Sequence, residues 1–185
     1  VSFGANALSC EAHVFVPEGA DPSKIAAIRS YGAQVDTHGD DCSLTEAHAR
    51  KTATNNGKTY ISPYNDLDVV AGQGTIAVEL IQQLGSLDAI FVSVGGGGLI
   101  AGIGSYFKSR GLNTKIIACS PERSPAMHAC LEAGKIIDVP CYPTLSDATA
   151  GGVEPGSVTF DLCAEVIDQS ILLSEDEIRS ATRHL

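Results

Sequence analysis

Short runs of β-branched and aromatic residues alternate with longer stretches of helical periodicity along nearly the whole chain. His13–Val16 (HVFV) reads as a strand, closed by Pro17-Glu18-Gly19. Asp21-Pro22-Ser23 starts a helix that runs to Tyr31 and stops at Gly32, with Pro22 in the first turn, where its missing N–H costs little. Ala33–Thr37 reads as the next strand. Ser43 or Thr45 then caps a helix to about Asn55, and Thr59–Ser62 reads as a third strand. The opening segment, VSFGANALSC, reads as helix.

The second half repeats the alternation. Asp68–Leu84 sets Ile76, Leu80 and Leu84 on one helical face. Leu87–Val94 (LDAIFVSV) has the length and composition of a fully buried strand. A glycine run and a helix to about Ser109 follow, then strand Lys115–Cys119 and helix Pro125–Ala133. A Pro- and Gly-rich connection, Asp138–Ser157, leads to helix Val158–Ile167, strand Ile171–Leu173 and a last helix from Glu175. Such alternation predicts an α/β fold, two lobes of mostly parallel sheet flanked by helices. The polar turn Ser62-Pro63-Tyr64-Asn65-Asp66 is the natural boundary, giving lobes of residues 1–63 and 64–185 with a cleft between them.

Composition narrows the function classes. A net charge of −10, with 12 basic residues and no basic run, argues against nucleic acid and anionic membrane as partners. No apolar run approaches the ~18 to 20 residues of a spanning helix, and no signal peptide is visible. The six cysteines form no CxxC pair and no dense framework, so they read as reduced thiols of a cytoplasmic protein. His38, Asp40, Asp41 and Cys42 share one loop without zinc-ligand spacing, and no metal site is expected there.

Ser93–Gly104 (SVGGGGLIAGIG) carries the chemistry. Glycines between a buried strand and a helix N-terminus let several backbone N–H groups point at one spot. The helix adds unsatisfied donors and the positive end of its dipole, which favours a phosphate. A tight turn that merely needs small residues is the simpler alternative, but four glycines in a row exceed that need. The nucleotide motifs fit poorly. Leu99-Ile100 follows Gly98 where a P-loop needs Lys-Ser/Thr, and Gly98, Gly102 and Gly104 lack dinucleotide spacing.

Together, SVGGGGLIAGIG and Ala71–Glu79 (AGQGTIAVE), in this order and spacing, resemble the paired signatures of the pyridoxal-phosphate-dependent serine/threonine dehydratase and serine racemase family. Pro22–Gly32 (PSKIAAIRSYG), Ser120–Gly134 and Glu175–Ile178 (EDEI) fall where that family has similar stretches, so the resemblance covers essentially the whole chain. It implies a tryptophan-synthase-β-like, fold-type II architecture. Residues 1–63 would be part of the small domain and 64–185 part of the large, cofactor-phosphate-binding domain. Gly95, Gly96, Gly97, Gly98 and Leu99 would hold the phosphate of pyridoxal phosphate through backbone N–H groups.

The implied activity is conversion of a β-hydroxy amino acid to a 2-oxo acid and ammonia by a cytoplasmic protein, with a small amino-acid substrate and a homodimer as the family's assembly. Serine racemase is the alternative, and a non-catalytic fragment that binds a ligand or partner is a third reading. The family's Schiff-base lysine sits in a Ser-Phe-Lys-x-Arg-Gly-like motif upstream of the glycines, which would precede Val1. The chain is therefore expected to be an internal portion lacking both ends of the active site, with no catalytic residue of its own. Phe107–Gly111 (FKSRG) mimics the motif. Ten residues after Gly98, however, Lys108 lies roughly 15 Å along the axis, at the wrong end of the helix, and reads as a decoy. Ser120 and Ala126 stand where metal-binding members carry acids, with Glu122 shifted, so no divalent cation is expected. The family's Asp-Gly beside the cofactor reads Asp147-Ala148, followed by Gly151-Gly152-Val153-Glu154. Tyr64 stands where dehydratases resemble an aromatic and racemases an asparagine, which tilts the reading toward dehydratase.

Overall fold

The computed structural model describes residues 1–184. The chain divides into two units, Val1–Tyr60 and Ile61–Leu185. In the first, α1 (Ser2–Ala7) precedes β1 (His13–Val16), α2 (Pro22–Ser30), β2 (Gln34–Thr37) and α3 (Cys42–Asn55). Strands β1 and β2 pair in parallel, with His13 opposite Gln34 and Val16 opposite Thr37. The helix between them makes this a βαβ crossover.

Local chemistry sets the helix starts. The Asp21 carboxylate accepts the Ser23 N–H at 2.7 Å, and Pro22 opens α2 at its first position. The α3 cap is Asp41, whose carboxylate accepts the Leu44 N–H at 2.8 Å. Ser43 and Thr45, the caps expected from the sequence, lie inside the helix instead. Thr45 points its hydroxyl back at the carbonyls of His38 (2.6 Å) and Asp41 (2.7 Å).

The second unit carries α4 (Leu67–Leu84), β3 (Ala89–Ser93), α5 (Gly98–Ser109), β4 (Lys115–Pro121), α6 (Ala126–Ala133), α7 (Val158–Val166), β5 (Gln169–Leu173) and α8 (Glu175–His184), with a short 3-10 turn at Asp147–Thr149. Its sheet has the order β3-β4-β5, parallel throughout, with Val92 opposite Ala118 and Cys119 opposite Ile171. Helix α5 is buried nearly all round, from Gly98 and Ile100 to Phe107, as befits a helix at the centre of a layer. Its side chains join Val92, Val94, Ile116, Ala118, Met127, Cys130 and Cys163 in one core.

Helix α4 packs on α5 with almost no gap. A Cβ on Gly102 would overlap the Val70 carbonyl and lie 2.7 Å from the Gly74 nitrogen. Gly74, from the AGQGT stretch, in turn faces the Gly102 carbonyl. The two glycine-bearing stretches therefore meet at a helix crossing.

One expected strand is absent. Thr59–Ser62 finds no ladder partner among the described residues. The Ser62 hydroxyl accepts the Asn65 N–H at 3.0 Å and turns the chain toward α4, where Asp66 caps the Asp68 N–H at 2.8 Å. Among the described residues, no helix is long and apolar enough to cross a membrane.

Candidate functional site: a glycine cradle

Strand β3 ends at Ser93, and Val94 makes a last ladder bond to the Cys119 carbonyl at 2.9 Å. The next bond of this run is the Ala101 N–H to the Gly97 carbonyl, at 2.9 Å, which begins α5. Between them, among the described residues, the N–H groups of Gly95, Gly96, Gly97, Gly98, Leu99 and Ile100 have no protein acceptor. Gly97, Gly98 and Ile100 are nevertheless buried. Buried backbone donors without partners are rare in folded proteins, so three of them within a run of six unpartnered N–H groups mark a place suited to an acceptor.

Gly97 is the N-cap of α5, with φ +87° in the left-handed region. It reverses the chain so that the loop and the first helical turn present donors together. No acidic residue stands in the first turn of α5, so no side chain of that turn neutralises the positive end of the helix dipole.

Close neighbours account for the absence of side chains. A Cβ on Gly95 would lie 2.9 Å from the Thr149 carbonyl oxygen. One on Gly96 would overlap the Tyr64 ring, reaching 2.6 Å from Cδ1, and one on Gly98 would approach Tyr64 Cα to 3.0 Å. Beneath Gly97 lie Cys163 Sγ and Met127 Cε, each 2.8 Å from where a Cβ would be. Tyr64, Thr149, Met127, Thr159 and Cys163 thus surround the loop.

Tyr64 is held in turn. Its hydroxyl accepts the Glu154 N–H at 3.0 Å. Asn65 donates to the Glu154 carboxylate at 2.6 Å and accepts the Val158 N–H at 2.9 Å, capping the start of α7.

Lys108 sits in the last turn of α5, its Nζ 2.6 Å from Asp168 Oδ1. Asp168 also accepts the Ile116 N–H at 2.8 Å, and the hydrogen bond from Lys108 is the main cause holding its carboxyl below the usual range. Lys115 begins β4, and Lys135 follows Gly134, the C-cap of α6. Ser120 and Ala126 are buried, and the Ser124 hydroxyl accepts the Gly151 N–H at 3.0 Å. Among the described residues, no group of three or more His, Cys, Asp or Glu side chains is arranged to hold a metal.

The pyridoxal-phosphate dependent enzyme family matches residues 1–185 of the chain. The chain belongs to this family. Among its relatives, the catabolic L-threonine dehydratase of Escherichia coli is 37% identical over 181 residues, covering 98% of this chain and 55% of that protein. The processed form of threonine deaminase isoform 2 from Solanum lycopersicum superposes with a TM-score of 0.89 at 35% identity, over 99% of this chain and 53% of that one. Serine racemase from Dictyostelium discoideum superposes with a TM-score of 0.84 at 34% identity, over 98% of this chain and 57% of that one. The chain thus spans a little over half the length of these relatives. The two parallel sheets flanked by helices are those of a fold-type II pyridoxal-phosphate enzyme.

A phosphate accepts several hydrogen bonds at once, and backbone N–H groups at a helix start supply them without a counter-charge. The run of N–H groups from Gly95 to Ile100 has the donors that such an anion needs. Thr159, Cys163 and Met127 escaped the sequence reading because nothing local links α6 and α7 to residues 95–98. The four-residue spacing of Thr159 and Cys163, which puts both on one face of α7, was the only available signal.

Proposed function

We propose that this chain forms the cofactor-phosphate-binding part of a pyridoxal-phosphate-dependent dehydratase (ammonia-lyase). The reaction converts a β-hydroxy amino acid, L-threonine or L-serine, to a 2-oxo acid and ammonia. The observation that carries the reading is the run of unpartnered N–H groups from Gly95 to Ile100 at the start of a buried helix. Similarity to threonine dehydratases supports the choice of reaction.

Pyridoxal phosphate, when bound, supplies an electron sink that lets an amino acid lose its α-proton. The residues of this chain do the holding. Gly95, Gly96, Gly97, Gly98 and Leu99 donate to the phosphate oxygens, and the start of α5 adds its dipole. Tyr64 lies against Gly96 and Gly98 and backs that side of the loop. Its hydroxyl, bonded at Glu154, keeps the ring there.

On this reading residues 1–63 belong to the small domain and 64–185 to the large one. The protein is cytoplasmic and homodimeric, it uses no metal here, and Lys108 has no part in catalysis. The test is 2-oxo-acid release from L-threonine and L-serine by the gene product that carries this chain, supplied with pyridoxal phosphate. Release supports the reading. Recovery of racemised serine without oxo acid would favour the racemase alternative, which the similarity to a serine racemase keeps in view. Neither product would leave a binding module.

A further inference from the structure

A trans peptide unit is planar, so its C=O and the following N–H point in opposite directions. Whatever fixes the Gly96 carbonyl therefore fixes the direction of the Gly97 N–H, and the Gly97 carbonyl does the same for the Gly98 N–H. Side chains of α7 reach both carbonyls from below. The Gly97 carbonyl also accepts the Ala101 N–H at 2.9 Å, so α5 itself helps to fix it, whereas the Gly96 carbonyl depends on α7. Thr159 donates its hydroxyl to the Gly96 carbonyl at 2.6 Å, and Cys163 points its thiol at the Gly97 carbonyl, 3.6 Å away. Both side chains are 0% exposed.

The hydroxyls form a directed chain. Thr159 has one hydroxyl proton, which goes to Gly96, so the Ser157 hydroxyl, 2.7 Å away, donates to Thr159. Buried hydroxyls in series strengthen one another. The weaker thiol donor works by shape as well, since Cys163 Sγ and Met127 Cε fill the space under Gly97.

We propose that Thr159 and Cys163 are positioning residues that aim the Gly97 and Gly98 N–H groups at the cofactor phosphate, an assignment that rests on the cradle reading above. They touch neither phosphate nor substrate, and act on the faces of the peptide planes opposite the donors. The buried hydroxyl at position 159 serves phosphate affinity, beyond any packing role that a methyl could fill.

Equilibrium dialysis of pyridoxal phosphate and of pyridoxal against wild type, Thr159→Val and Thr159→Ser separates these roles. Valine keeps the shape and removes the donor, whereas serine keeps the donor. The expected result is an affinity for pyridoxal phosphate weakened about fivefold or more in Thr159→Val and largely restored in Thr159→Ser. Affinity for pyridoxal, which lacks the phosphate, stays unchanged across the series. Wild-type affinity for pyridoxal phosphate in Thr159→Val would overturn the inference and leave the cradle standing. Failure of the wild type itself to bind would overturn the cradle reading, and this inference with it. Should Thr159→Val not fold, Thr159→Ala read against Thr159→Ser carries the same comparison at the Gly96 carbonyl, and equal affinities there would overturn the inference.

Discussion

The backbone of α5 at Gly102 lies directly against the carbonyl of Val70 on α4, leaving no room for a single methyl group. Gly74 sits at the same crossing, with its own Cβ position 3.1 Å from the Gly102 carbonyl oxygen. Backbone cannot step aside as a flexible side chain can. Gly102→Ala is expected to destabilise the chain by about 1–3 kcal/mol or more, read as a fall in Tm. Gly72, midway between Val70 and Gly74 but on the exposed side of α4, has open space around its Cβ position, and Gly72→Ala should leave Tm unchanged or slightly raised.

Gly96→Ala tests the loop rather than the crossing. The new methyl would overlap the Tyr64 ring, which must move. Because a side chain can yield where a backbone cannot, the expected Tm loss is smaller than that of Gly102→Ala. The expected loss of phosphate affinity is larger. Calorimetry of both variants with and without pyridoxal phosphate distinguishes the two effects.

Asp168 links α5 to β4 through Lys108 and the Ile116 N–H. Its pKa is lowered, first by the hydrogen bond from Lys108 and then by that from Ile116. A carboxyl depressed below its unfolded value of about 3.9 stabilises the fold above that value and ceases to do so as pH falls through the folded pKa. Wild type should therefore lose more stability than Asp168→Asn on acidification below about pH 4. At neutral pH the loss in Asp168→Asn should be modest, roughly 1 kcal/mol or less, because the pair is partly exposed. Denaturant unfolding at a series of pH values gives both results. Lys108→Met should leave the affinity for pyridoxal phosphate unchanged.

Five of the six cysteines are either exposed or buried, and Cys119 is intermediate. Cys10, Cys42 and Cys141 are exposed, whereas Cys130 and Cys163 are buried. Burial pushes the Cys163 thiol up to about 12, so almost none of it is thiolate at neutral pH. Alkylation followed by peptide mapping should label the exposed three in the native chain, and Cys130 and Cys163 only after unfolding.

Much of the fold was legible because strand and helix periods are local properties. The α5 region shows this best, with a β-branched run, a glycine run and an apolar helix in direct succession. Thr59–Ser62 has equally β-rich residues, yet a strand also needs a partner, and none of the described strands pairs with it. The helix start at Asp41 rather than Ser43 or Thr45 was decided by which side chain could reach a free N–H, here that of Leu44. The four glycines pointed, in the sequence, to an anion site, but their surroundings were not legible there. Tyr64 lies over Gly96, and Thr159 lies within hydrogen-bond reach of its carbonyl, through contacts across 32 and 63 residues of chain. AGQGT read only as a family signature until Gly74 was found against Gly102.

Nuclear magnetic resonance offers the most direct measurement, the backbone amide shifts of Gly95 to Ile100 as pyridoxal phosphate is added to the labelled chain. If these groups cradle the phosphate, their amide protons shift together and saturably, in the direction of hydrogen-bond formation. Pyridoxal without its phosphate leaves them in place. Shifts absent from this run, or equal for the two compounds, would contradict a phosphate cradle at the start of α5.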